Sequence, residues 1–107
     1  MLLDGGKRSG LQVVPATWLE DSFKPAVRIN DRRQYGYHWY LSDALLDRPE
    51  GRRRERMIGA FGNGGQRLLV FPGLDLIVVV TAGNYNSRDQ GEGPARVLND
   101  VVLPNLR

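Results

Sequence analysis

Apolar residues in this chain of 107 come in short clusters, and their spacing predicts alternating helix and strand. Asp4-Gly5-Gly6-Lys7 is a turn signal, followed by the short apolar run Leu11 to Val14. Pro15 to Phe23 reads as a helix with Trp18, Leu19 and Phe23 on one face. Pro15 suits a first helical turn, where its missing N–H costs nothing, and Pro25 ends the pattern. Residues 26–34 are polar and read as irregular. Tyr35 to Leu41 is dense in aromatics and reads as one strand, with Tyr35, Tyr37, Trp39 and Leu41 on one face. Gly36, His38 and Tyr40 fall on the other. Residues 42–55 read as a charged insert turning at Pro49-Glu50-Gly51.

The second half is more apolar. Met57 to Phe61 leads into Gly62-Asn63-Gly64-Gly65, and Arg67 to Phe71 leaves it as a strand. Pro72 to Asp75 has hairpin-loop chemistry. Leu76 to Thr81 is β-branched on both faces and predicts a central strand buried on both sides. Residues 83–93 are a loop. Pro94 to Leu103 predicts a terminal helix whose apolar stripe is Val97, Leu98, Val101 and Val102. The order predicts an α+β fold: an antiparallel sheet of three to four strands, with an N-terminal and a C-terminal helix packed on it. No repeat or composition break divides residues 1–107, so a single domain is expected.

Composition narrows the function classes. The hydrophobic fraction of 41% with 25% charged is ordinary for a globular domain. With no cysteine there is no disulfide, thiolate metal site or cysteine nucleophile. The net charge of +3 comes largely from Arg52, Arg53, Arg54 and Arg56, in a segment without a base-stacking aromatic, so nucleic acid is not the expected partner. The run from Leu76 to Val80 is far short of the ~20 residues a membrane helix needs. The first residues lack a signal-peptide pattern. Asp43, Asp47 and Glu50 are scattered through a polar segment and do not have metal-ligand spacing.

Gly62-Asn63-Gly64-Gly65 permits positive φ and bare N–H groups that can hold an anion or a developing oxyanion. The same residues also suit a bulge or sharp bend at the start of a strand. No Gly-Lys-Ser/Thr follows, so it is not a Walker A loop, and the following strand excludes a dinucleotide fingerprint.

Read in order, several segments resemble the C-terminal part of the serine hydrolases related to class C β-lactamases and penicillin-binding proteins. They are Leu2-Leu3-Asp4-Gly5-Gly6-Lys7, Gln12 to Leu19, Tyr35-Gly36-Tyr37-His38-Trp39, Gly62 to Gln66, Val70-Phe71-Pro72, Leu76 to Val80 and Leu103 to Leu106. The set is most similar to the branch of esterases and 6-aminohexanoate-dimer hydrolases. The resemblance implies ester or amide hydrolysis without a cofactor, in a bacterial protein of the cytoplasm or periplasm. It places an oxyanion-hole donor at the N–H of Asn63, just after Gly62; an alternative register begins the motif at Asn63 and brings in Gly64. Ala60 stands where the family often has a basic residue, which disfavours β-lactam chemistry. Tyr37, Trp39 and Tyr85 become candidates for the substrate cleft, with half-buried sheet packing as the alternative use of these aromatics.

The family nucleophile is the serine of Ser-x-x-Lys, assisted by a tyrosine in a Tyr-x-Asn type motif. None of Ser9, Ser22, Ser42 or Ser87 has a lysine three residues on, and no Tyr-x-Asn occurs. The expectation is therefore a scaffold segment, inactive alone, whose partner is a missing N-terminal catalytic part or a second copy of itself. Two other classes stay open: a free-standing α+β module whose glycine loop binds an anion or peptide, and a small hydrolase built on the lone His38.

Overall fold

The computed structural model describes residues 1–106 and is α+β, with a two-stranded ribbon, a six-stranded antiparallel sheet and two helices. The ribbon pairs β1 (Lys7–Arg8) with β2 (Leu11–Gln12), and helix α1 (Ala16–Ser22) follows. The sheet is a meander in chain order: β3 (Val27–Asn30), β4 (Arg33–Tyr35), β5 (Tyr40–Arg48), β6 (Gly51–Gly62), β7 (Gln66–Phe71) and β8 (Leu76–Val80). Helix α2 (Glu92–Arg96) widens into a π-helical turn over 97–102 and tightens to a 3-10 turn at 103–105.

Six main strands replace the expected three or four because both polar stretches pair. Residues 26–34 hold the β3–β4 hairpin. The charged insert is the long β5–β6 hairpin, turning between Arg48 and Gly51. Opposite charges meet across it: Asp43 faces Arg56 and Asp47 faces Arg52, whose Nε lies 3.0 Å from the Asp47 carboxylate. Ala44 and Leu46 point to the opposite side and are buried.

Each face of the sheet has its own cover. Ala44, Leu46, Leu69 and Phe71 pack under Leu98 and Leu103 of the C-terminal helical segment. On the other face Leu41, Ile58 and Val70 are covered by Leu2, Leu3, Phe23 and Trp39. Phe71, Ile58 and Val70 are fully buried, which puts the core at the β6–β7 pair. Glu55 shares the α2 face and is also buried. Its Oε1 lies 2.7 Å from Arg53 Nε but off the hydrogen-bonding direction, so charge attraction holds this contact.

Four further expectations change. The aromatic strand 35–41 breaks at 36–39, where His38 takes φ 63°, so Tyr35 and Tyr40 become cross-strand partners. Trp18 is exposed beside Tyr37 and does not enter the core with Leu19. Most consequentially, β8 lies at the edge of the sheet. Leu76 and Val78 turn toward the α2 cluster, while Ile77 and Val79 are 38% and 66% exposed. Along the C-terminal helix, Leu98 is buried and Val102 half-buried, but Val97 and Val101 face outward.

Candidate functional site

The glycine segment is the link between β6 and β7. Gly62 pairs with Gln66, leaving residues 63–65 as a three-residue turn. Gly64 and Gly65 take φ +91° and +94°, which L side chains rarely adopt. A β-carbon at Gly64 would lie 2.7 Å from the Tyr85 ring, and one at Gly65 2.5 Å from the Gln90 carbonyl. Both glycines are therefore demanded by backbone sign and by close packing of the 83–91 loop.

That loop is tied to the turn by polar contacts. Asn63 Nδ2 donates to Asn86 Oδ1 at 2.9 Å, and the Asn86 N–H donates back to Asn63 Oδ1 at 3.0 Å. Gly64 N–H donates to Gln90 Oε1 at 2.6 Å, and Asn84 N–H to the Gly64 carbonyl at 3.0 Å. The Gln66 side chain acts as an extra rung beyond β8: its Oε1 accepts from Ala82 N–H at 3.1 Å and its Nε2 donates to the Ala82 carbonyl. Within the loop, Asp89 accepts from Asn84 Nδ2 at 3.0 Å and from Ser87 Oγ. The Ser87 and Asn84 hydrogen bonds hold the Asp89 carboxyl below its usual range.

Gly62, Asn63, Gly64 and Tyr85 thus come together. Tyr37 and Trp39 are engaged elsewhere: Tyr37 packs on Trp18 at 5.7 Å between ring centroids, and Trp39 meets Phe23 edge-on at 5.4 Å. Their observed ring partners belong to the N-terminal helical segment. His38 is exposed at the break between β4 and β5.

Beside the turn lies an open hollow of about 740 Å³, lined by Phe61, Gly62, Asn63, Arg67, Arg88 and Gly91 among others. Its wall continues into an aromatic row across three strands. Tyr35 packs on Tyr40 at 4.9 Å, and Tyr40 stacks on Phe61 at 5.0 Å with 10° between planes. Two guanidiniums sit on this row. Arg33 Cζ is 5.5 Å from the Tyr40 ring centre and 5.6 Å from that of Phe61, and Arg67 Cζ is 4.7 Å from that of Phe61. Arg67 Nη1 donates to the Gln66 carbonyl at 2.8 Å and reaches the Gly62 carbonyl at 3.5 Å. Burial, and then the like charge of Arg33, lower the Arg67 pKa.

This arginine–aromatic row escaped the sequence reading because Arg33 lay in a stretch read as irregular. Once the turn is placed at 63–65, the register sets Phe61 opposite Arg67. That pair was the available signal.

No protein-family model, curated protein or solved structure matches the chain. Among the described residues, no cluster of three or more His, Cys, Asp or Glu has metal-holding geometry, and no helix is long and apolar enough to cross a membrane.

Proposed function

We propose that this chain is the C-terminal sheet segment of a serine hydrolase related to the β-lactamases and acts in ester or amide hydrolysis. It contributes strands, a covering helix and the backbone donor of Asn63 after Gly62, while a complementary polypeptide carries the serine and its lysine. Tyr85, over the glycine turn, is the cleft aromatic nearest this donor; Tyr37 and Trp39 contribute by holding α1. The supporting observation is β8: a five-residue, wholly apolar edge strand with Ile77 and Val79 open to solvent. Such an edge is a template for another strand. In the absence of its complement, a second copy is the strand it takes.

A fluorophosphonate serine probe tests this reading. The purified chain stays unlabelled. From probe-treated extract of the source cells, an antibody to the β5–β6 hairpin recovers a labelled polypeptide, either continuous with this chain or bound to it. Recovery of the chain with no labelled species, or stoichiometric labelling of one of its own serines, rejects the proposal.

A further inference from the structure

We infer that Arg33 and Arg67, mounted on the Tyr40–Phe61 stack, form a binding site for a small oxyanion, a carboxylate or phosphate group, on the aromatic row next to the hollow that Arg67 lines. The inference does not depend on the hydrolase reading.

Three observations carry it. Both guanidiniums lie over one ring, Phe61, at 5.6 and 4.7 Å, near enough for the charge of Arg33 to act on Arg67. Neither has an ion-pair partner among the described residues, nor does Arg88, which lines the hollow with Arg67; the carboxylates of Asp31, Asp47 and Glu55 pair with Arg28, Arg52 and Arg53 instead. The surroundings also leave part of the Arg67 fork without a protein acceptor. Its Nη1 is anchored to the Gln66 carbonyl, while Nη2 lies beside Gly91, where a β-carbon would come within 2.9 Å. A side chain at position 91 would cover this nitrogen, and glycine leaves it bare.

The physical consequence follows from charge. Two like charges against an apolar wall repel one another with less screening than in open water; burial first, and the like charge of Arg33 after it, lower the Arg67 pKa. An anion placed between them removes that repulsion and accepts charge-assisted N–H bonds from planar donors suited to carboxylate or phosphate oxygens. The aromatic row fixes where the guanidiniums stand before any ligand arrives, which lowers the ordering cost of binding.

The test is a titration of the ¹⁵N-labelled chain, at constant ionic strength, with benzoate and separately with inorganic phosphate. The readouts are the arginine Nε–Hε resonances and the Phe61 ring protons. Saturable shifts at Arg33, Arg67 and Phe61 are expected. Saturation by benzoate alone identifies a carboxylate that stacks on the ring, by phosphate alone a phosphate, and by both a general oxyanion site. Arg67→Gln weakens binding by about tenfold, and Arg67→Lys, which keeps the charge but loses the fork, weakens it by a smaller factor. Arg8→Gln, on the separate ribbon, leaves it unchanged, and the backbone spectrum of each variant reports folding. The inference fails if neither anion gives a saturable shift at Arg67, or if the shifts spread equally over Arg28, Arg52 and Arg54. It fails too if Arg67→Gln folds and binds as before.

Discussion

The two edges of the sheet are built on opposite principles. β3 carries Arg28, is interrupted by a register shift between Arg28 and Asn30, and ends in a turn where Arg28 meets Asp31. Charge and irregularity of this kind keep an edge from recruiting another strand. β8 is Leu-Ile-Val-Val-Val, without charge, proline or register shift. Val27 and Ile29 of β3 are exposed like Ile77 and Val79 of β8, but only β3 is interrupted by a charge and a register shift; β8 is chemically an interior strand left at a boundary. The difference explains why its pattern predicted burial on both sides, and under the proposed function β8 is the edge that takes a further strand.

The core beneath both edges is the reference against which they are measured. Phe71→Ala, at a fully buried position under Leu98 and Leu103, is expected to cost about 3–5 kcal/mol in denaturant unfolding. That is a large share of the ~5–15 kcal/mol available to a domain. A cost below about 1 kcal/mol would mean that the covered face is not the core. Gly65→Ala comes next, at about 2 kcal/mol, because φ is +94° there and the added carbon meets the Gln90 carbonyl. Its spectral changes should centre on Asn63, Asn86 and Gln90; an alanine that leaves stability unchanged would contradict the turn geometry.

The edges themselves separate by a pair of lysines. Val79→Lys on β8 should abolish self-association in sedimentation and reduce hydrophobic-dye binding, while Val27→Lys on β3 changes neither. Equal effects from both substitutions would erase the distinction between the edges. Val79→Ala should cost less than about 1 kcal/mol, since its side chain is 66% exposed.

The smallest effect concerns pH. The Asp89 carboxyl is depressed in the folded loop, so its contribution is present above the ordinary carboxylate range and is lost as pH falls through the lower folded value. The amide protection factors at Asn84 and Ser87, taken relative to the intrinsic exchange rate at each pH, should fall on acidification through that range, and Asp89→Asn should remove the dependence. A loop whose protection factors ignore pH there would show that Asp89 does not order it.

Local chemistry was most readable where short-range rules apply. The helix expected over 15–23 is observed over Ala16–Ser22, and β7 and β8 fall on the two apolar runs. The turn at 63–65 is where the glycines put it. The β5–β6 hairpin was hidden because one of its faces is charged, and its inward residues are spaced among arginines and acids. Tyr35 to Leu41 misled by alternating well while being bent at His38, a backbone excursion that aromatic spacing does not encode. Of the site, the glycine turn and Tyr85 were legible; Arg33 and Tyr40 required the meander.

By itself the sequence determined the element types in its apolar half, the need for glycine at the turn, and the absence of a Ser-x-x-Lys nucleophile. Those follow from backbone sterics, periodicity and residue identity, which are local. Tertiary structure alone decided that β8 is an edge, that the charged stretch is a paired hairpin, and that Arg33 and Arg67 share one aromatic ring. These depend on which strands neighbour one another and in what register, a matter of long-range pairing and of which surface each helix covers.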